Sequence, residues 1–384
     1  MVLNSQQLQR FSYTPQAAAP VSEITRPPAD LDVAVICMGN SAEALGLRLQ
    51  ALAYQDGMWL HVSGLNNDRL PPRGLALPGL AAPLTLAERL VLDAENPREQ
   101  LLDDPLLAAR YATVLRGISV FETYPRAGAG GHGLPAISGL DIDLHIGRVQ
   151  SWLRGIAHRL RGASPATPGQ GDIGRVLAEH GQRNAPAREK RILVLGGACG
   201  AMGNAGHQLI PPLLHATLAE QGIRPYEVWG VMLGPRAFTG LTPYVRHNFR
   251  ALLETIEHVS QHGLRRRYAT ELEITMQRPP YDRLFLLDDP RLPSSAASVT
   301  EAEMEQFLDQ SALSLYMLLR GTIWPTIASH TANDDGVVRP DGRLCYLHTV
   351  RGALLRADRT QIRAALSAGL ALRTLDRFLS QFGS

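Results

Sequence analysis

Lysine is almost absent from this 384-residue chain: Lys190 is one residue among 38 Lys and Arg. That scarcity excludes two functions at once. A phosphate loop of the Gly-Lys-Ser/Thr type needs its lysine beside the β and γ phosphates, and Lys190 stands between Glu189 and Arg191. A short-chain dehydrogenase needs a Tyr-x-x-x-Lys pair, and position 186 is Pro. Cysteine is scarce too. Cys37, Cys199 and Cys345 are scattered, which suits a reducing cytoplasm and offers no disulfide frame. No run of about 18 apolar residues is present, so no membrane span is expected. The N-terminus does not read as a secretory signal. Charge is balanced, at a net +2. The one basic cluster, residues 265–267, is short and reads as a solvated turn, so no nucleic-acid partner is expected.

What is present is a core and a great deal of glycine. The chain is 45% hydrophobic, enough for two domains. The stretch RILVLGGACGAMGNAGHQLIPPLLHATLAEQG, residues 191–222, carries five apolar or glycine residues, then glycines at 196, 197, 200, 203 and 206, then leucines at helical spacing. It reads as a buried strand, a glycine-rich turn and a helix. Such a turn aims backbone N–H groups at an anion, above all a phosphate. The spacing Gly-x-x-Gly-x-x-Gly from 197 is not the dinucleotide fingerprint Gly-x-Gly-x-x-Gly, and no acidic residue closes a second strand roughly 20 residues on.

Strands alternate with helices along the chain. Strands are expected at 32–37, 59–64, 191–196, 226–233 and 283–288, and again near 344. Helices are expected at 42–54, 85–93, 105–116, 141–162, 244–262 and 301–320, with a last one near the C-terminus. This pattern predicts an α/β fold with a mostly parallel sheet covered on both faces. Residues 1–30 read as a tail and 163–189 as an insertion. The loop at 66–83 is rich in Pro, Gly and Leu, and 128–139 is a second glycine-rich loop.

The order of these motifs resembles the tubulin/FtsZ superfamily, most closely its bacterial tubulin-like branch. VAVICMGNSAEALGLRL (33–49) is similar to that family's first strand, first loop and first helix. RAGAGGHG (126–133) resembles its third loop, and VLGGACGAMG (194–203) stands where the family carries Gly-Gly-Gly-Thr-Gly-Ser-Gly. VRHNFRALLETIEHV (245–259) resembles the start of the long central helix, where Asn248 matches an asparagine that holds guanine. PPYDRLFLLDDPRL (279–292) is similar to the strand after that helix. Residues 312–336 resemble the approach to a loop that reaches the next subunit's nucleotide, with Asn333, Asp334 and Asp335 in it.

The resemblance implies a nucleotide-binding domain over 31–243, a central helix at 244–262 and a smaller α+β C-terminal domain over 263–384. It implies GTP or GDP as ligand, with Mg as accompanying cation, held by Gly39, Asn40 and Ser41; by Gly128, Ala129, Gly130 and Gly131; by Gly196, Gly197, Ala198, Cys199, Gly200 and Ala201; and by Asn248. It implies head-to-tail self-association into cytoplasmic filaments, and a GTPase completed across the interface by Asn333, Asp334 and Asp335. The sequence also departs from the pattern. Cys199 replaces the signature threonine, and Ala201 and Met202 fall at the serine and the last glycine; a register shifted to residues 203–206 is the other alignment. A second function stands beside the first: a scaffold that keeps the fold without turnover and holds no nucleotide. A Rossmann-type oxidoreductase is a third, without an identifiable proton donor. Five residues have bland readings of their own. Asn40 and Ser41 are good helix caps. Cys199 is either a thiolate near a helix N-terminus or a small core residue. His258 and His262, four apart on one helix, lack a third metal ligand, and no metal site is expected.

Overall fold

Three strands without a polar face organise the molecule. Asp32–Met38 (β1, DVAVICM), Lys190–Gly197 (β4, KRILVLGG) and Tyr226–Leu233 (β5, YEVWGVML) are apolar along most of their length, and their side chains are buried from Val33, Arg191 and Val228 onward. Strands buried on both faces belong in a parallel sheet between two helical layers. That is the arrangement in the computed structural model, which describes residues 32–55, 60–77, 80, 82–86, 88–93, 101, 103–115, 131, 133–160, 190–224, 226–240, 244–269, 272–289, 292, 298–319, 337–338 and 344–349.

The other strands are His61–Asn66 (β2), Glu88–Val91 (β3), Leu264–Arg267 (β6), Glu273–Met276 (β7), Arg283–Leu287 (β8), Val337–Val338 (β9) and Leu344–Thr349 (β10). The main sheet runs β3-β2-β1-β4-β5-β8-β10-β9, parallel except for β9, which pairs antiparallel with β10. β6 and β7 form a separate antiparallel hairpin. The helices are Asn40–Gln55 (α1), Pro105–Leu115 (α2), Pro135–Leu144 (α3), Ile146–Leu160 (α4), Ala201–Glu220 (α5), Val245–His262 (α6) and Glu301–Leu319 (α7). α1 packs with α7, α5 packs with α3, α4 and α6, and the sheet lies between the two layers. Arg48, nearly buried, ties α1 to α7 through Asp309 (2.9 Å) and Glu305.

Helical periodicity was informative where it was strong. Val149, Trp152, Leu153 and Ile156 of α4 face the core, as do Leu252, Ile256 and Val259 of α6. Several expectations are corrected. The helix expected at 85–93 is the strand β3: residues 88–91 hydrogen-bond to the free edge of β2, in register with Ser63–Asn66, and that pairing overrides the helical propensity of Ala, Glu, Arg and Leu. The helix expected at 141–162 is two helices meeting at His145, and the first begins at Pro135, a favoured first position, inside the expected loop 128–139. α6, expected as a central helix, is followed by the β6–β7 hairpin, and helix and hairpin together lie between β5 and β8, neighbours in one sheet. The sheet therefore continues past residue 263, through β8 and β10, and the described residues fall in one compact unit within 1–351. The C-terminal helix, the 1–30 tail and the 163–189 insertion lie outside the described residues.

Candidate functional site

Ligands of open parallel sheets bind beyond the carboxyl ends of the strands, and a cleft of about 260 Å3 opens there. Its lining includes Gly39, Asn40, Ser41, Asn66, Asn67, Asp68, Gly131, Gly133, Gly197, Gly200, Ala201, Met202 and Phe238. Four separate loops that the sequence singled out or passed over thus meet: those after β1, β2 and β4, and the one before α3. Gly39, Asn40, Ser41, Gly131, Gly197, Gly200 and Ala201 all reach the cleft. Gly196 does not line it, and Ala198 and Cys199 are buried behind it. Gly128, Ala129, Gly130, Asn333, Asp334 and Asp335 lie outside the described residues.

The glycine turn has one register. α5 begins at Ala201, so the turn is 198–200, and Gly203 and Gly206 sit inside the helix. Most of its glycines serve packing. A Cβ on Gly203 would stand 2.3 Å from the backbone nitrogen of Gly197 and 2.5 Å from its carbonyl oxygen, and one on Gly197 would enter the Phe238 ring. One on Gly206 would strike Met38, and one on Gly196 would strike His207. Gly200 differs. A Cβ there would meet nothing nearer than 3.8 Å, and no side chain caps the helix it begins. The first backbone N–H groups of α5 have no helical partner, and residues 200–203 line the cleft.

The first loop places a second helix start beside it. Gly39, at φ 86, makes a turn that glycine adopts freely. Its N–H bonds Leu65 O at 3.0 Å, and its carbonyl accepts the Glu43 N–H that opens α1. Two helix N-termini therefore converge on one cleft, each carrying a partial positive charge. No Lys or Arg stands in the described lining, whose one charged residue is Asp68. An anion here would be held by backbone dipoles.

A polar network braces this wall. Asn40 Nδ2 donates to Asp68 Oδ2 at 2.8 Å, and Asn66 Nδ2 donates to Asn40 Oδ1 at 2.5 Å and to Glu43 Oε2 at 3.0 Å. Asn40 is thus committed to neighbouring side chains, where the resemblance implies a phosphate contact. Glu43 is fully buried and paired with Arg89 of β3 at 2.9 Å. Burial raises its pKa, and Arg89 opposes the rise. Arg89 also donates to the carbonyls of Asp68 (2.7 Å), Arg69 (3.1 Å) and Leu70 (2.9 Å), fixing the loop after β2. Asn67 donates to Ser138 and Asp141, while its Oδ1 is buried without a partner among the described residues. That atom is an acceptor, and it suits a donor or a cation rather than a phosphate oxygen.

Asn248, Cys199 and the His258–His262 pair have the following places. Asn248 Nδ2 donates to Gly133 O and Cys199 O, both at 2.8 Å, so its donors join the two glycine loops and leave only Oδ1 for a base. Cys199 is a buried side chain. Burial, then the Asp288 carboxylate, push its pKa up to about 12, which excludes the thiolate reading. His258 and His262 stack at 4.6 Å on the exposed face of α6, and no group of three ligands for a metal forms among the described residues. Asn66, Asn67, Asp68 and Met202 were missed as site residues. The signal for three of them was an Asn-Asn-Asp run directly after an apolar strand.

No protein-family model matches the sequence, and no curated protein matches it. Solved structures similar to the chain include CetZ2 from Haloferax volcanii, solved as a GTPγS-bound protofilament (TM-score 0.41, 14% identity, 76% of this chain and 58% of that one). CetZ from Methanosaeta thermophila is another (TM-score 0.40, 10% identity, 80% and 61%). A third is TubZ of Bacillus thuringiensis serovar israelensis in a GTPγS-form protofilament (TM-score 0.37, 13% identity, 83% and 61%). CetZ and TubZ are members of the tubulin/FtsZ superfamily, the one the motifs resemble. The chain spans about three fifths of the length of these proteins. No described helix is long and apolar enough to cross a membrane.

Proposed function

We propose that this chain is a tubulin/FtsZ-like protein that binds a guanine nucleotide in the cleft and self-associates head to tail into cytoplasmic filaments. The observation that carries the binding half is the convergence of two helix N-termini, α1 and α5, on a cleft at the carboxyl ends of parallel strands. That geometry favours a phosphate-bearing ligand. Guanine and filament assembly come from the motif resemblance. The residues present fit the phosphate end: the first residues of α5, which has no side-chain cap, and of α1 offer N–H donors. Asn67 Oδ1 and Asp68 are acceptors that fit the cation accompanying a nucleotide. Hydrolysis, in this reading, falls to Asn333, Asp334 and Asp335 of one subunit acting on the next, so turnover rises with assembly.

Two observations favour the second reading, a scaffold without turnover. The Asn248 amide donors are already bonded, and Met202 stands in the cleft where the family signature has glycine. Denaturing extraction of the purified chain, with chromatography of what is released, decides between them. Guanine nucleotide near one per chain supports the first reading. Sedimentation with GTP and loss of phosphate release on Asp334→Ala or Asp335→Ala then test assembly and turnover. A chain that releases no nucleotide and binds no added GTP leaves the scaffold.

A further inference from the structure

Resting on that nucleotide reading, we infer that Met202 is a gate over the phosphate end of the cleft and sets how tightly the site binds. The two helix N-termini meet at this residue. A Cβ built on Gly39 would lie 3.4 Å from Met202 Cβ, 3.9 Å from Met202 Cγ and 3.6 Å from the Gly203 nitrogen. The stem of Met202 therefore lies between the Gly39 turn and the start of α5. Met202 is only 4% exposed, yet it lines the cleft.

The other large apolar side chains of the described lining are committed elsewhere. Met38 packs under Gly206 and Gly196, and Phe238 packs under Gly197. Both are floor. Met202 is the long side chain between the two helix starts.

Methionine suits a gate. Its unbranched side chain turns about three bonds and repacks at low cost. The backbone that would receive phosphate is already in place, because Gly203 and Gly197 lock the start of α5 to the end of β4. Opening then asks for a rotamer change, which swings the atoms beyond Cβ while Cβ stays with the backbone, and not a loop rearrangement. A site whose competent form is populated a fraction of the time binds more weakly by that fraction. A gate open about one tenth of the time weakens apparent affinity about tenfold.

The test measures GTP binding to the full-length chain by equilibrium dialysis, for the parent, Met202→Ala, Met202→Gly and Met202→Leu, with circular dichroism melting to confirm folding of each. The expected result is binding about tenfold tighter in the Ala and Gly variants and near the parent value in the Leu variant, which keeps the volume. Two small replacements guard against a folding failure in one of them, since position 202 lies in the first turn of a helix, where both are tolerated. Equal affinity in all four chains overturns the gate and leaves the nucleotide site standing. Tighter binding in the Leu variant as well also overturns it, because volume would then not be the determinant. Absence of binding in all four overturns the nucleotide reading and the gate with it.

Discussion

The two walls of the cleft are built by opposite means. The wall formed by the β1–α1 turn and the end of β2 is held by side chains: Asn40, Asn66, Asp68, Glu43 and Arg89 form one hydrogen-bonded network around the buried Glu43–Arg89 pair. The wall formed by the β4–α5 turn is held by their absence, with Gly197 and Gly203 backbone to backbone and Phe238 filling the space beside them. The first wall depends on every polar partner being present, since a buried network left half satisfied costs more than an apolar core. The second depends on close approach and tolerates no added atoms. Glycine in a loop is thus no sign of a ligand by itself. Of the glycines in the β4–α5 segment, Gly200 is the one with open space above it.

The comparison breaks most sharply on the glycine side. Gly203→Ala places a methyl group 2.3 Å from backbone that cannot move without shifting β4, so a loss on the order of 3 kcal/mol or more, or failure to fold, is expected. Gly200→Ala, facing open space, should stay within about 1 kcal/mol of the parent. Chemical denaturation of both variants reads the difference, and equal losses would show that the turn is not packed as described.

On the polar side, Glu43→Ala leaves the Arg89 guanidinium, largely buried, without its carboxylate, and a loss of roughly 3 kcal/mol follows from breaking one partner of such a pair. Replacing both residues with methionine removes the unpaired charge but also the donors to the Asp68, Arg69 and Leu70 carbonyls, so only part of the loss should return. A double variant as unstable as the single one would remove the ion pair from the account.

Behind the glycine wall, His207 is fully buried and its pKa is lowered to about 4 by that burial. Its ordinary value is 6.5, so between these values the unfolded chain takes up a proton that the folded chain does not. Stability therefore falls as the pH drops from 6.5 toward 4, by at most roughly 3 kcal/mol for the full interval. Melting temperature against pH checks it: His207→Gln should flatten the slope in that window, and an unchanged slope would assign it to other groups, such as His215, also lowered to about 4.

The smallest effect belongs to the link between the two glycine loops. Asn248→Ala frees the carbonyls of Gly133 and Cys199 and should cost about 1–2 kcal/mol without unfolding the chain. If guanine binding is lost while stability is untouched, Asn248 reads the base after all, through Oδ1.

Legibility tracked the length scale of each signal. β1, β4, β5 and the helices α4, α6 and α7 were visible because a run of apolar residues, or a 3.6-residue period, is a local property. β3 was not, because four residues, ERLV, carry no period. Only the exposed edge of β2 makes them a strand. The same holds at the site. Gly39, Gly197, Gly200 and Ala201 were legible as turn and helix start, while Asn67 and Met202 acquire meaning only from what the fold brings across to them.

The amino-acid sequence by itself determined the α/β class, the glycine turn after a buried strand and the exclusion of lysine-dependent phosphate chemistry, since each follows from composition or near-neighbour spacing. The tertiary structure alone decided which glycines are for packing, that Asn248 ties two loops together, that the strands before α6 and after its following hairpin are neighbours in one sheet, and that Met202 lies between two helix N-termini. Those contacts join residues as close in the chain as Gly197 and Gly203 and as distant as Met38 and Gly206, and close packing, which fixes them to a few tenths of an ångström, has no counterpart in a one-dimensional pattern.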